Sequence, residues 1–240
     1  MPVGDNGWAG SAGAWVEFVD GADPNRTYVL DPVMNAKTAD VAGLRVLDVG
    51  CGEGRFCRAL SERGAAPVGI DPTPALLDVA RTRHPEGEYV ECGAEAMPFE
   101  DGAFEVVVSY VSLCDIPDYR AAIAEQARVL KPGGRMVVAL HNAFVTTSPT
   151  GWLKDEGGRK TVFPVDNYTF ESGSKVAWRG IEVVNYHRPM AAYMSAFLKE
   201  GLRLVSYEEP LPSPQDVTDH PYVADFLRVP VFTVLEWAKP

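Results

Sequence analysis

A glycine-rich turn between an apolar strand and a helix constrains this chain more than any other feature. Residues 46–49 form a short apolar run that contains Asp48, and glycines follow at positions 50, 52 and 54 before a helical pattern begins. Glycine is favoured where the backbone needs a positive φ or approaches a ligand closely. In open α/β sheets, ligands bind outside the carboxyl ends of the strands. The turn therefore predicts a parallel α/β fold with a ligand site at that edge of the sheet.

Strand and helix patterns alternate along the first part of the chain. Apolar runs predict strands at residues 44–49, 67–71, 88–91, 104–110 and 135–140, with helices at 56–63, 75–83 and 119–130. Such alternation is typical of βαβ units, whose parallel sheet is covered on both faces. Further along, the patterns predict loop and a short hairpin over 142–186, a helix over 189–198, strands at 202–207 and 231–237, and a proline-rich loop at 210–221.

The length of the chain favours one domain. With 240 residues, 46% of them hydrophobic, it can bury a large core and lies near the size at which single cores stop growing. We predict an α/β fold with a Rossmann-like, seven-stranded, mostly parallel sheet, helices on both faces, an N-terminal helical cap and a lid insertion after the fifth strand. A single domain over 1–240 would comprise the cap at 1–40, a ligand-binding core at 41–141, the lid and binding insertion at 142–200, and final strands at 201–240.

Two classes of ligand compete for the glycine turn. A dinucleotide fingerprint requires a third glycine at position 55, where this chain has Arg55. The observed order of an acid followed by three alternating glycines instead resembles the turn of the class I methyltransferases, which bind S-adenosylmethionine (SAM). The resemblance implies SAM as cofactor and S-adenosylhomocysteine as product. It assigns Asp48, Gly50, Cys51 and Gly52 to the methionine end of the cofactor.

The acid at the end of the second predicted strand supports a nucleoside ligand. Asp71 is followed by Pro72, and an acid at this distance from the turn can accept hydrogen bonds from both ribose hydroxyls. A solvated strand-end acid or a helix N-cap is the alternative for Asp71 alone.

The resemblance continues into the next loop and strand. Residues 93–99 look like the adenine-side loop of the small-molecule branch, often called type 11, and imply cofactor contacts from Ala94, Glu95 and Ala96. Many relatives carry an acid where this chain has glycine at position 93, so the adenine amino group would be bound by backbone groups or by Glu95. Residues 104–110 resemble the fourth strand, which implies that Ser109 and Tyr110 also contact the cofactor, and residues 129–134 resemble the turn before the fifth. The resemblance covers about residues 40–140.

Three titratable residues are candidates for catalysis at the same edge of the sheet. His141 directly follows the fifth predicted strand and could act as general base, because an unperturbed histidine has a pKa of about 6.5. His187 and Asp115 are candidates for further polar groups near the acceptor. The alternatives are a strand-end histidine bonded to backbone for His141, packing at a helix entry for His187, and an exposed loop acid for Asp115.

Aromatic residues are frequent outside the predicted nucleotide core. As a group they predict an apolar or aromatic acceptor beneath the lid, although each one alone is more readily explained as core packing. The residues are Trp15, Phe18, Tyr28, Trp152, Phe163, Tyr168, Trp178, Tyr186 and Tyr193.

Charge and cysteine spacing exclude several classes of function. The formal net charge is −11, and the sequence has no Lys/Arg run, which disfavours nucleic acid and anionic membranes as partners. The four cysteines show neither CxxC spacing nor a His/Cys cluster, so we expect reduced thiols and no metal site. The N-terminus lacks the order of a signal peptide, and no apolar stretch is long enough to span a bilayer. We therefore expect a cytoplasmic location.

The sequence thus predicts a methyltransferase that acts on an O or N atom of a small metabolite. A macromolecule (RNA or protein) methyltransferase and a SAM-binding protein without catalysis are the alternatives. A nicotinamide-dependent dehydrogenase is disfavoured by Arg55 at the third-glycine position. The identity of the acceptor and the oligomeric state are left open.

Overall fold

The strands of the chain form one large sheet and one separate hairpin. The computed structural model describes residues 6–21, 23–148 and 151–240. The strands are β1 Arg45–Val49, β2 Ala66–Asp71, β3 Glu88–Glu91, β4 Phe104–Tyr110, β5 Leu130–His141, β6 Ser172–Trp178, β7 Ile181–His187, β8 Arg203–Glu208 and β9 Phe232–Ala238. The seven-stranded sheet has the order β3-β2-β1-β4-β5-β9-β8, and β6 pairs with β7. The first five strands are parallel, whereas β9 runs antiparallel to β5 and β8. The predicted mostly parallel seven-stranded sheet is confirmed.

Helices cover both faces of this sheet. They are α1 Trp8–Asp20, α2 Asp31–Lys37, α3 Arg55–Glu62, α4 Pro74–Arg83, α5 Tyr119–Val129, α6 Ala143–Thr146, α7 Met190–Lys199 and α8 Pro214–Asp219. A π-helical turn, Arg26–Leu30, precedes α2, and 3-10 turns occur at Leu113–Asp115 and Pro221–Leu227. No helix within the described ranges is long and apolar enough to cross a membrane.

Alternation along the strands divides the core into two layers. Successive strand residues point to opposite faces of a sheet. Leu47 and Val107 accordingly pack with α5 and α7, in one buried cluster. Val46, Val106 and Val108 pack with α2, α3 and the turn Pro221–Leu227, in another. Burying one such side chain contributes about 1.5–3 kcal/mol to the stability of the fold. The two layers therefore fix the strands, and with them the positions of the strands' carboxyl ends.

One predicted loop is wrong and one predicted strand is longer than expected. Within residues 210–221 the chain forms α8, whose start is fixed by a capping box. Ser213 Oγ accepts from the Asp216 amide, and the Asp216 carboxylate accepts from the Ser213 amide, both at 3.1 Å. Strand β5 begins at Leu130 rather than at residue 135, and its pairing with β4 contains a register irregularity between Phe104 and Val106.

The N-terminal helix is joined to the separate hairpin. Ser11 Oγ in α1 donates to the carbonyl of Glu182 in β7 at 3.0 Å and accepts from the Glu182 amide at 2.9 Å. The Val184 amide donates to the carbonyl of Asn6 at 2.8 Å. Helix α1 and the hairpin therefore form one unit. Their functions as cap and lid, and the predicted division into regions, stay predictions.

Candidate active site

A cavity of about 370 Å³ opens at the carboxyl ends of β1, β2, β4 and β5. Helix α1, the turn Arg26–Leu30 and the hairpin form its other walls, through Trp15, Arg26 and Trp178 among others. The volume lies within the range of natural small-molecule sites, about 300–1,000 Å³. The cavity occupies the edge of the sheet where the glycine turn predicted a ligand.

The glycine turn closes tightly between β1 and α3. Gly50 has a φ of 73°, and a Cβ built on it would lie 2.4 Å from the Ser112 Cβ atom. The amides of Gly50 and Cys51 both donate to the carbonyl of Ile70, at 2.8 and 2.9 Å. Glycine is therefore required at position 50 for both its conformation and its contact. Gly50, Cys51 and Gly52 all line the cavity, and their binding of a cofactor stays a prediction.

Asp71 links the end of β2 to the glycine turn. Its Oδ2 accepts from the Gly52 amide at 3.0 Å, and its Oδ1 accepts from the Thr73 amide at 2.9 Å. Burial raises the pKa of this carboxyl above its ordinary value, and the two amide bonds oppose that shift. Asp71 and Pro72 line the cavity. The carboxylate retains lone pairs that could accept the hydroxyls of a ribose.

Asp48 lies behind the turn as a nearly inaccessible acid. It is 1% exposed, and the Cys57 thiol donates to its Oδ2 at 3.4 Å. Burial raises its pKa to about 7, which the thiol bond only partly offsets. Asp48 contributes to the cavity wall, so it can contribute charge to a bound ligand near neutral pH.

The predicted adenine loop contributes three successive residues to the cavity. Gly93, Ala94 and Glu95 line it, whereas Ala96 does not. A Cβ built on Gly93 would lie 2.9 Å from the Glu95 Oε2 atom. The carboxylate of Glu95 therefore occupies the space beside position 93, where the resemblance led us to expect an acid.

The two residues predicted at the end of β4 have different positions. Tyr110 lines the cavity, and its hydroxyl donates to Asp31 Oδ1 at 2.6 Å. Ser109 is fully buried and does not line the cavity. Its hydroxyl bonds to that of Ser112 at 2.8 Å, and Ser112 Oγ donates to the Val49 carbonyl at 2.6 Å. Ser109 supports Ser112, which does reach the cavity.

His141 and Asp115 both line the cavity. His141 is the last residue of β5 and stacks on Phe232, with ring centroids 5.5 Å apart. Burial lowers its pKa to about 4, and the positive charge of Arg26 adds to this shift. His141 is therefore a neutral imidazole near neutral pH, which is the form that can accept a proton.

Asp115 is a half-buried acid rather than the exposed loop acid of the alternative interpretation. Burial raises its pKa to about 7, opposed by hydrogen bonds from Cys114, Asn185 and Trp8. The Cys114 thiol donates to its Oδ1 at 3.6 Å. At neutral pH this carboxyl can be either protonated or charged, so it can exchange a proton with a bound ligand.

His187 does not line the cavity, contrary to the predicted site. Its Nδ1 bonds to Thr146 Oγ1 at 2.6 Å, and its Nε2 bonds to the Tyr168 carbonyl at 2.9 Å. Because both ring nitrogens have partners within the fold, the geometry matches the packing alternative. The side chain joins α6, the loop before β6 and the end of β7.

Only some of the predicted aromatic residues reach the cavity. Trp15, Phe18 and Trp178 line it, and Trp8, which the sequence did not single out, joins them edge-on to Trp15 at 5.2 Å. Trp152 instead packs against Phe163 at 5.4 Å. The other predicted aromatic residues that do not line the cavity are Tyr28, Tyr168, Tyr186 and Tyr193.

Two functional contacts could not be identified from the sequence. Trp15 Nε1 donates to Glu53 Oε2 at 3.2 Å and so joins α1 to the glycine turn. Arg188, which is 2% exposed, donates to the carbonyls of Leu113 at 2.6 Å and Pro117 at 3.1 Å, and to that of Ile116. These contacts join segments far apart in sequence, and no local pattern marks them.

Comparisons with known proteins agree with the geometry of the cavity. The family model described as "Methyltransferase domain" matches residues 47–138. A solved structure of an S-adenosylmethionine dependent methyltransferase from Mesorhizobium loti is 27% identical, with a TM-score of 0.80, and the match covers 90% of this chain and 98% of that one.

Two curated relatives match the core of the chain. Demethylmenaquinone methyltransferase of Thermus thermophilus is 42% identical over 100 residues, which are 39% of this chain and 46% of that protein. The protein of the same name from Lactococcus lactis is 37% identical over 109 residues, 42% of this chain and 43% of that protein. The chain thus spans less than half the length of these curated relatives.

Proposed function

Because this chain contains the domain of the class I SAM-dependent methyltransferases, we propose that it transfers the methyl group of SAM to an O or N atom of a small, aromatic or apolar metabolite. SAM supplies a methyl group bonded to a sulfonium. The lone pair of the acceptor forms the new bond to carbon as the carbon–sulfur bond breaks and its electron pair returns to sulfur. An O–H or N–H acceptor also releases one proton, which requires an acceptor group nearby.

The observation that carries the proposal is the continuity of one cavity from Asp71 to His141. An acid suited to ribose hydroxyls lies at one end, and a neutral imidazole lies at the other. A ligand bound by the first would have its reactive portion near the second. Holding two reactants in alignment can supply about 7–11 kcal/mol of the barrier in ideal cases, and one shared cavity is compatible with such alignment.

The side chains of the cavity fit the chemistry of SAM. The Asp71 carboxylate offers acceptors for two hydroxyls, and Glu95 offers one for the adenine amino group. Asp48 can place negative charge near the ammonium group. In this arrangement the glycine turn leaves room for the methionine portion, and the indole rings of Trp15 and Trp178 exclude water.

His141 is the proposed group that receives the acceptor's proton. It lines the cavity, its ring has no hydrogen-bond partner in the described part of the chain, and the imidazole is neutral because burial lowers its pKa to about 4. Asp115 is a second candidate, with a pKa near 7 and a place on the same wall.

The acceptor class is inferred from the walls of the cavity and from charge. Aromatic side chains, Trp8, Trp15, Phe18 and Trp178, provide flat apolar surface. The relatives named demethylmenaquinone methyltransferases have, by that name, a small molecule as acceptor. The net charge of −11 disfavours nucleic acid as acceptor and anionic membranes as partners.

Calorimetric titration with S-adenosylhomocysteine tests the cofactor site. We expect micromolar binding, about 8 kcal/mol, that weakens at least tenfold in Asp71→Ala. The matched control is Asp78→Ala, an acid on α4 that is paired with Arg81 and 75% exposed, and it should bind like the wild type. A preference for NADH, or equal binding by both variants, would contradict the proposal.

Labelled methyl transfer into a metabolite extract separates the three interpretations of function. Labelled small molecules would support the proposal. Label in added RNA or protein would favour the macromolecule alternative. Cofactor binding without any labelled product, over the full set of fractions, would favour a SAM-binding protein without catalysis.

Two tryptophans provide a matched test of the acceptor end. Trp178→Ala should raise the KM for the acceptor while leaving the affinity for S-adenosylhomocysteine unchanged, because Trp178 lines the cavity. Trp152→Ala should change neither, because Trp152 packs against Phe163 and beneath Arg228. Equal effects of the two variants on the KM would mean that Trp178 has no specific role at the acceptor end.

A further inference from the structure

The cavity contains an arginine that neither the glycine turn nor the proposed base accounts for. Arg26 begins the π-helical turn before α2 and lines the cavity with a side chain that is 18% exposed. Its guanidinium carbon lies 4.8 Å from the ring centroid of Trp15 and 5.2 Å from that of Tyr110. The two rings hold the cation between α1 and the end of β4.

The hydrogen-bonding capacity of Arg26 is largely unused. Its Nε lies 3.4 Å from Asp23 Oδ2, and this is its one ion pair among the described residues. Neither Nη atom donates a hydrogen bond to any residue that the structure describes. A guanidinium presents five donors in a planar fork, so at least four N–H groups are left for a ligand.

The second arginine that lines the cavity, Arg55, already has its Nη atoms bound to a carboxylate. Both Nη atoms of Arg55 bind the carboxylate of Asp31, each at 2.9 Å. Among the cations that line the described cavity, Arg26 is therefore the one whose fork is free for an anion. Its guanidinium lies over Tyr110 at the end of β4, the strand that pairs with β5, so Arg26 lies on the His141 side of the cavity. Its positive charge adds to the lowered pKa of that histidine.

The shape of the free donors specifies the ligand. A guanidinium fork whose Nη groups are free matches a planar carboxylate, which can accept two parallel N–H···O bonds. Such pairs are strengthened where water is excluded, as in a half-buried cavity. Several acids also line the wall, among them Asp48 and Asp115, and this favours the free Nη groups of Arg26 as the place for an anion.

We propose that Arg26, whose guanidinium contacts the rings of Trp15 and Tyr110, is a carboxylate-binding residue of this cavity. The inference rests on the proposed function. Two molecules of that reaction can supply the carboxylate: the amino-acid end of the cofactor, or an acidic acceptor. Arg26 is a binding residue in either case, and its effect is on affinity.

Paired titrations distinguish the two sources. The first pair of ligands is S-adenosylhomocysteine and its decarboxylated analogue, 5′-deoxy-5′-(3-aminopropylthio)adenosine. The wild type should prefer the carboxylated ligand at least tenfold if the cofactor is the source, and Arg26→Gln should reduce that preference below threefold.

The second pair is benzoate and benzamide, titrated with and without S-adenosylhomocysteine. Benzoate binding that is lost in Arg26→Gln, with no benzamide binding, would identify an acceptor carboxylate.

Two further variants control for structure. Arg179→Gln removes an exposed arginine that stacks on Phe18 at 5.4 Å but does not line the cavity, and it should keep the wild-type preferences. Arg26→Lys keeps the charge without the fork and should lie between wild type and Arg26→Gln. If Arg26→Gln does not fold, Arg26→Lys is used in its place in both pairs of titrations.

The outcomes separate this inference from the proposed function. Loss of one preference in Arg26→Gln supports the inference. Unchanged preferences for both ligand pairs overturn it while leaving the cofactor site intact. If the wild type does not bind S-adenosylhomocysteine, the proposed function fails, and the benzoate titration of the free protein still decides whether Arg26 binds a carboxylate.

Discussion

The two Nη atoms of Arg55 each donate a hydrogen bond of 2.9 Å to the carboxylate of Asp31. Tyr110 adds a third bond to the same carboxylate, at 2.6 Å. The network connects α2, the first residue of α3 and the end of β4 directly beside the cavity. A dinucleotide-binding fold would have glycine at position 55. In this chain the Arg55 side chain instead connects α2 to the glycine turn.

Asp31→Asn should lower the stability of the protein by about 1–3 kcal/mol, because the bonds to Arg55 lose their charge assistance. Thermal unfolding would show this as a decrease in Tm of several degrees. The matched control is Asp40→Asn, whose partner is Arg135 and whose side chain is 73% exposed, and it should cost less than about 0.5 kcal/mol.

The same variant should alter the acid dependence of stability. Burial raises the pKa of Asp31, but the bonds and charge of Arg55 outweigh it, so the pKa is below its ordinary value of 3.8. The unfolded chain binds the proton more readily, so this contribution is present above pH 3.8 and is lost as the pH falls through the lower folded value. Wild type and Asp31→Asn should therefore converge in Tm at strongly acidic pH. A constant difference would contradict the ion pair.

The parts of the fold that could be predicted depend on local chemistry. Gly50 has a positive φ, which the glycine at that position already indicates in the sequence. The β-branched residues of β4 likewise indicate a strand without knowledge of the neighbouring strands. Ser213 and Asp216 also have the spacing of a capping box, but the prolines around them led to the prediction of a loop. Each of these signals lies within a few residues.

The parts that could not be predicted depend on distant segments. Trp15 bonds to Glu53 across 38 positions, and Arg188 bonds to the Leu113 carbonyl across 75. His187 was a candidate because it leads into a predicted helix over the pocket, yet its orientation is set by Thr146 and Tyr168. The direction of a side chain at the end of a strand is decided by such tertiary partners, and a single sequence contains no record of them.

Glu95 is predicted to distinguish adenine from hypoxanthine. Its carboxylate can accept from the adenine amino group but would repel the exocyclic carbonyl oxygen that replaces this group in S-inosylhomocysteine. Wild type should prefer S-adenosylhomocysteine at least tenfold by calorimetry, and Glu95→Gln should reduce that preference because an amide can donate to the oxygen. Glu100→Gln, at an exposed position, is the control. A preference that survives in Glu95→Gln would assign adenine recognition to backbone groups.

Arg188 is predicted to be a positioning residue for the wall that contains Asp115. It lies 4.3 Å above the Tyr119 ring and binds three carbonyls of the segment 113–117. Lysine keeps the charge but cannot reach all three acceptors. Arg188→Lys should cost about 2–4 kcal/mol of stability and, at a temperature where it is folded, weaken cofactor binding several-fold.

Arg120 provides the matched comparison for this prediction. Its guanidinium lies 4.4 Å from the same Tyr119 ring, but its side chain is 59% exposed and pairs with Glu171. Arg120→Lys should leave both Tm and the affinity for S-adenosylhomocysteine nearly unchanged. If Arg188→Lys lowers Tm without affecting cofactor affinity, Arg188 is structural only, and the positioning role is refuted.

His141 should give the activity a flat pH profile around neutrality. Burial, reinforced by the charge of Arg26, lowers its pKa to about 4, so the imidazole is the basic form from about pH 5.5 upward. For an acceptor found in the metabolite screen, the ratio of wild-type to His141→Gln activity should be constant between pH 6 and 8, where Asp48 and Asp115 titrate in both proteins, and fall only below about pH 5. His141→Gln should lower kcat by about 10²–10⁴-fold if the ring accepts the proton.

Stability tests the same residue without an acceptor. Because the folded pKa is about 4 and the ordinary value is 6.5, the unfolded chain binds a proton first as the pH falls. His141 should therefore destabilise the fold progressively between pH 6.5 and 4, and Tm should fall more steeply in wild type than in His141→Gln. His84→Gln, at the end of α4 and outside the cavity, should keep the wild-type slope. A wild-type slope in His141→Gln would mean that the imidazole is accessible to water and titrates normally, and a base with that pKa would lose activity through pH 6.5 instead.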